Sequence, residues 1–266
     1  MDIEDYQIES EGYCRGENPQ MGKWQQEFNF SPVSGQGRRS RETQREFIKQ
    51  IRTEIQTNYF FIHQVSVRIT LFHREEEALE TMLTADLDNY AKPICDAIKG
   101  AEGLLIDDCQ IHSLHICWID TGKDPYFEIE ITGSPDDFIS SPIKLYEMAD
   151  GLYYPYSKKY WTKTGIKDSK PEHEYLLLGA LLCQTYRAYT VKNTLLNNGH
   201  SQLEAHRQSQ MFKPVRWGFH KRRVSESGFD CLSRSQWLPT IFEWVQEQEP
   251  GSLIDEIKNC VSQFVD

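Results

Sequence analysis

Between Thr84 and Gln110 the chain reads TADLDNYAKPICDAIKGAEGLLIDDCQ, a short helical pattern bracketed by two acidic pairs. Asp86 and Asp88 come first, Asp107 and Asp108 last, and Lys92 lies between them. On an extended strand Asp86 and Asp88 point to one side; in a turn before a helix they crowd the same helix start. Two carboxylates about 4 Å apart repel by roughly 4 kcal/mol at an effective dielectric near 20. Whatever this stretch folds into must offset that repulsion. A divalent cation does so directly, and Mg²⁺ characteristically takes one or two carboxylates together with water and substrate phosphate.

The helix between the pairs follows from its punctuation. Asn89 or Tyr90 is the expected cap, which places Pro93 in the first turn, where its missing N–H costs little. Ile94, Ala97 and Ile98 form the buried stripe, and Gly100 ends the helix. Lys92 then sits near the first pair, where a cation can hold a phosphate or stabilise developing negative charge. Gly103 to Ile106 reads as a short apolar strand delivering Asp107 and Asp108 toward the first pair. A lone DxD is usually an N-cap or a solvated turn acid. Two pairs around one helix, with a lysine four residues after Asp88, form a much narrower pattern.

That pattern, Asp86-x-Asp88-Asn89-x-x-Lys92-x-x-x-Asp96 and then Asp107-Asp108-x-Gln110, resembles the RusA-type Holliday junction resolvases (crossover junction endodeoxyribonucleases). The resemblance extends over residues 20–135 by strand and helix order and leaves the last 130 residues uncovered. It implies an α/β (α+β) domain, a small mixed sheet with flanking helices. It implies Mg²⁺, or Mn²⁺ in its place, bound by the essential acids Asp86, Asp88 and Asp108, with Asp107 as an accessory acid and Lys92 as a catalytic lysine. It further implies a homodimer that nicks branched DNA symmetrically, in recombination or repair.

Composition bears on the partners. The net charge of −11 counts against nucleic acid. Residues 1–135 carry 13 Lys+Arg and 24 Asp+Glu, whose difference is the whole net charge; the remainder carries 16 of each. Several of those acids are the proposed metal ligands, and local basic patches can still grip phosphates. No apolar run reaches membrane-spanning length, and the acidic start Met1-Asp2-Ile3-Glu4-Asp5 is not a signal peptide. Seven scattered cysteines without a CxxC motif fit a reducing cytoplasm and speak against zinc.

Three segments are expected: an acidic tail (1–22), a nuclease domain (23–135) and a mainly helical accessory domain (136–266), the last able to recruit a protein partner. Trp24–Phe30 reads as a strand. The basic glycine loop at Ser34–Arg41, with Arg38, Arg39 and Arg41, either grips DNA or is merely solvated. Thr43–Glu46 reads as a capping box opening a helix to Gln56, with Phe47, Ile48, Ile51 and Ile55 buried. Phe61–Leu71 alternates as one long strand, with His63 a satisfied core histidine. His112–Ile119 and Phe127–Ile131 read as an antiparallel hairpin. His112 and His115 lie near the acids, but Mg²⁺ prefers oxygen.

In the second half, the Tyr- and Lys-rich run 153–161 suggests base stacking or, with slightly better support, a poorly packed connector or protein-contact surface. Glu174–Thr190 is a buried helix. Lys213 to Arg223 is the most basic segment, and Lys213, Arg216, Lys221, Arg222 and Arg223 are candidate DNA contacts. Helices are expected over 236–246 and 252–265, the second opened by a capping box at Ser252–Asp255.

The reading is therefore a Mg²⁺-dependent, structure-selective DNA endonuclease. A second is a non-catalytic RusA-like DNA- or protein-binding subunit of a larger phage or defence complex. A DxD nucleotide-sugar transferase is a third, which leaves the second acidic pair unexplained.

Overall fold

Period-two alternation of apolar residues builds the sheet of the first of two compact units. The computed structural model describes residues 22–35, 41–81, 86–135, 137–162 and 165–264. Almost all of the expected acidic tail, and Arg38 and Arg39, lie outside them. The first unit comprises residues up to 59 together with 64–97 and 111–138; the second comprises 60–63, 98–110 and 139–266. The expected single break after residue 135 is thus replaced by an interleaved division. Phe60, Ile62 and Ile106 pack in one apolar cluster with Ile139, Ile143, Leu145, Tyr153, Phe219 and Val224, which places 60–63 and 98–110 in the second unit.

In chain order the first unit holds β1 (Lys23–Phe28), α1 (Arg41–Glu54), the start of β2 (Tyr59–Phe61), β3 (Val65–His73), α2 (Glu75–Glu80), most of α3 (Leu87–Ile98), β4 (Ile111–Asp120) and β5 (Tyr126–Thr132). The sheet order is β1-β5-β3-β4. β5 runs antiparallel to both β1 and β3, whereas β3 and β4 are parallel. The expected hairpin is therefore corrected: β4 and β5 are not neighbours, because β3 lies between them. A parallel neighbour needs a long crossover, and α2 and α3 lie in it. The expected long strand from Phe61 is also two strands, β2 and β3, with the half-buried His63 in the connection.

Val67, Ile69, Leu71, Phe127, Ile129 and Ile131 are fully or almost fully buried. Phe28 and Phe127 stack at 4.9 Å, and Phe47 of α1 reaches the same ring at 5.6 Å, so α1 is tied to β5. Tyr90 of α3 packs on His73 of β3 with ring centroids 5.3 Å apart. Arg41 is already helical, so Thr43 lies inside α1 and is not its cap; Phe47, Ile51 and Ile55 are buried as expected. β4 differs from its neighbours: every one of its residues is exposed or half-buried, with Leu114, Trp118 and Ile119 at 46%, 36% and 49% exposure.

From residue 139 onward the second unit holds the rest of β6 (Phe138–Ser140), the strand partner of β2, and continues with β7 (Lys144–Glu147), β8 (Leu152–Tyr156), β9 (Lys159–Thr162) and β10 (Gly165–Asp168). Then follow α4 (Pro171–Asn197), α5 (Gln202–Ser209), β11 (Phe219–His220), α6 (Lys221–Val224), β12 (Asp230–Leu232), α7 (Arg234–Glu247) and α8 (Ser252–Val261). Strands β11-β8-β7-β12 form a second mixed sheet. The whole is thus mixed α/β, and its C-terminal part is mainly helical. The tyrosine run is not a loose connector: Tyr153, Tyr154 and Tyr156 are buried in β8, and Tyr154 donates its hydroxyl to Asp150 at 2.7 Å. α4 and α8 approach closely at Gly179, where a Cβ would lie 2.8 Å from the Ile257 side chain. α8 is preceded by Gly251, so Ser252 is its first residue and not a cap.

Candidate active site

α3 starts directly after Asp86, earlier than its expected cap at Asn89 or Tyr90. Asp88 is in its first turn, Asp86 accepts the Asn89 N–H through its carbonyl at 3.0 Å, and both acids are exposed. Carboxylates at a helix N-terminus are favoured by the helix dipole. Asp88 and Lys92 are four apart, so both exposed side chains share one face. The buried face carries Tyr90, Ala91, Ile94, Ala97 and Ile98.

The earlier start puts Pro93 inside the helix. Proline has no N–H, so the carbonyl of Asn89 loses its normal donor. The backbone N–H of Gly35 takes that place, and the carbonyl of Gly35 accepts from the Gln44 side chain of α1 at 3.0 Å. Gly35 is needed for this approach, since a Cβ would meet the Asn89 carbonyl oxygen at 3.2 Å. The glycine loop is therefore anchored at its beginning to α1 and α3. Sequence reasoning missed this, although a proline inside a helix signals an orphan carbonyl. At the other end of α3, Arg52 of α1 donates to the carbonyls of Asp96 and Ala97, which a helix terminus leaves without partners.

In the second unit the chain turns at Gly100, whose φ of +86° suits glycine. Leu104 and Leu105 both donate to the carbonyl of Ile98. The expected strand over 103–106 reduces to isolated bridges from Leu105 to Phe61 and Lys99, with Leu104, Leu105 and Ile106 buried. Asp107 and Asp108 then enter a short 3-10 turn, Asp108–Gln110.

Gln110 builds this turn. It is fully buried; its Oε1 accepts from the N–H groups of Ile106 and Asp107, and its Nε2 donates to the carbonyls of Phe61 and His63. Asp107, 7% exposed, accepts from the Cys109 N–H at 3.0 Å and from Arg223 of α6 at 2.8 Å. Lys99 pairs with Asp108 at 2.7 Å. Burial alone would raise the Asp107 carboxyl, but hydrogen bonds from Cys109 and Arg223 and the charge of Arg223 outweigh it and hold it below the usual carboxylate range. Burial and Asp107 push the Cys109 thiol up to about 12, so it is a neutral thiol and not a nucleophile at pH 7.

A carboxyl depressed in the folded state adds stability above its unfolded value and loses that stability as the pH falls through its folded one. In a chelating buffer, the excess melting temperature of the wild type over Asp107→Asn is therefore expected to be full near neutrality and to shrink below about pH 4. Calorimetric melts across that range check this, and a gap independent of pH would contradict it.

The basic candidates are placed differently from one another. Arg41 is exposed at the start of α1, and Lys221 and Arg222 are exposed on α6. Lys213 is half-buried. Arg216 donates to the carbonyl of Pro155 at 3.3 Å, and burial lowers its pKa, so it serves the sheet at β8. Arg223 serves Asp107. His63 donates from Nε2 to the Val215 carbonyl at 2.7 Å, and His112 donates from Nδ1 to the Val65 carbonyl at 3.0 Å. Neither is grouped as a ligand: among the described residues no set of three or more His, Cys, Asp or Glu is gathered as a cation site.

Residues 25–132 match the family Endodeoxyribonuclease RusA. The family is one of Holliday junction resolvase-type DNA endonucleases that are generally divalent-metal dependent, bind branched DNA and act as dimers. The RusA segment contains both acidic pairs, Lys92, Asp96 and Gln110; the rest of the chain has no family match. A search of curated proteins finds no match. No helix among the described residues is long and apolar enough to cross a membrane.

Proposed function

We propose that this chain is a divalent-metal-dependent, structure-selective DNA endonuclease that resolves four-way junctions or related branched DNA by phosphodiester hydrolysis. The observation that carries the reading is the RusA match at residues 25–132, which encloses both acidic pairs and Lys92. The donor chemistry fits Mg²⁺ or Mn²⁺: Asp86 and Asp88 are exposed carboxylates at one helix start, and Asp108 is partly open. Asp86, Asp88 and Asp108 would hold the cation, with Asp107 in support. Bound there, it would supply charge neutralisation at the phosphate and an activated water.

The remaining work falls to the protein. Lys92 stabilises negative charge on the phosphate or the leaving oxygen. Asp107 and Gln110 fix the turn that presents Asp108, and Asn89 and Arg52 hold α3. Arg41, Lys213, Lys221 and Arg222, with Arg38 and Arg39, contact the DNA backbone; such contacts weaken steeply with salt. The protein works as a cytoplasmic homodimer, and the apolar side chains exposed on the β4 edge support association. Residues 136–266 remain a proposed docking region for a protein partner.

One observation favours the second reading, a non-catalytic DNA- or protein-binding subunit. Asp107 and Asp108 are each already paired with a side-chain cation. The metal requirement separates the two readings. Cleavage of labelled branched DNA is expected with Mg²⁺ or Mn²⁺ and lost in EDTA. Undiminished cleavage in EDTA would overturn the metal-dependent reading. DNA binding without cleavage under any of these ions would favour the subunit.

A further inference from the structure

Arg223 lies outside the RusA match, yet it supplies the cation on Asp107. We infer that Arg223 is a positioning residue for the second acidic pair, so that the segment after the matched domain completes the active site. The inference rests on the nuclease reading above.

Several contacts within the second unit carry it. The Asp107 carboxylate accepts from the backbone N–H of Cys109, two residues on, and so caps the turn on which Asp108 sits. The Arg223 guanidinium meets the same Oδ1 at 2.8 Å. A carboxylate this buried needs a charged partner to stay ionised and fixed. Arg223 is itself held in place. Val224 beside it is buried with Phe60 and Ile106 in one cluster. Ala101 donates its N–H to the Ser227 carbonyl at 2.8 Å, and the Phe60 and Phe229 rings meet edge to face at 5.3 Å. A Cβ on Gly100 would lie 2.8 Å from that Ser227 oxygen, so glycine is required there twice, for its φ and for this approach. The stretch 223–229 is thereby docked along 100–107, and the chain of influence runs from Arg223 to Asp107, through its cap, to Asp108. About half of the Arg223 side chain is open to solvent, yet its Nη1 is committed to Asp107.

The test compares Arg223→Ala, Arg223→Lys and, as a distant basic comparator, Arg207→Ala on α5, in steady-state cleavage of a four-way junction. Arg223→Ala is expected to lower kcat by about 10- to 100-fold, the range for losing a group that orients a metal ligand, with KM within about threefold of wild type. Arg223→Lys is expected to recover most of kcat, and Arg207→Ala to match wild type. Unchanged kcat in Arg223→Ala overturns the inference. So does a raised KM with kcat kept, which marks a plain phosphate contact. If the wild type cuts no DNA, the nuclease reading is what fails, and the amide NMR signals decide the rest. Displaced Cys109 and Asp108 signals in Arg223→Ala support positioning of the turn; unmoved signals overturn it.

Discussion

Asp88→Asn is expected to lower DNA cleavage by about 10²- to 10³-fold while leaving the fold and DNA binding intact. The magnitude is that of removing one element of preorganised electrostatic stabilisation from a reacting centre. The substitution keeps the shape of the side chain and removes its charge. Asp88 is exposed in the first turn of α3, and no described residue depends on its carboxylate for a hydrogen bond or ion pair. The stability change should therefore not exceed the loss of one dipole interaction, about 0.3–1 kcal/mol. Paired measurements on one preparation check this: a cleavage rate in Mg²⁺, a dissociation constant in Ca²⁺ and a thermal melt. A variant that melts and binds like wild type but has lost cleavage places Asp88 in the chemistry. A variant that still cuts at a wild-type rate returns Asp88 to the role of a solvated helix-start acid.

Gln110→Leu is expected to be the most destabilising single change in the acidic region, by at least about 3 kcal/mol. Leucine has similar volume and no polar atoms, so it strands four backbone groups together: the N–H groups of Ile106 and Asp107 and the carbonyls of Phe61 and His63. Each buried group left without a partner costs about 1–3 kcal/mol, and the site is too closed for water to replace the amide easily. Gln110→Glu should be intermediate. Its carboxylate keeps both acceptor bonds but loses both donor bonds and buries a charge beside the two carbonyls. Urea denaturation gives both values. A loss below about 1 kcal/mol for Gln110→Leu would mean that the turn is held by other means. Cleavage should fall with stability in this variant, in contrast to Asp88→Asn.

The residues proposed for the site stand out in the sequence because metal chemistry demands carboxylates at fixed spacing. Asp86, Asp88, Lys92 and the Asp107–Asp108 pair stand out wherever the chain folds, and the alternation of β3 and β5 follows from simple periodicity. Gly100 as the helix stop was legible through its local chemistry, whereas the part Gln110 plays in the turn emerges only from its four buried hydrogen bonds. The strand partners were not. β4 and β5 follow one another with a short turn between them, which favours a hairpin locally, yet β3 lies between them; only long-range packing decides that order. The start of α3 was misplaced because Pro93 was read as a first-turn proline. The compensating Gly35 N–H lies 54 positions upstream of the Asn89 carbonyl that it reaches. Arg223 was noticed as one of a basic run, but its partner Asp107 is 116 positions away, and no local pattern joins them. The tyrosines of β8 misled in the opposite sense: the run reads as a loose connector or protein-contact surface ahead of a base-stacking one, whereas three of the rings are buried and two of their hydroxyls are hydrogen-bonded.

The most direct measurement is strand-specific mapping of the products formed when the full chain meets an end-labelled four-way junction in Mg²⁺, with flap and linear duplex of matched sequence alongside. The account predicts paired, symmetrically placed nicks on opposite strands of the junction, weaker or no cutting of the linear duplex, and loss of all products with Asp88→Asn. Intact junction after prolonged incubation, with the protein still bound to it, would contradict the account and leave a DNA-binding subunit in its place.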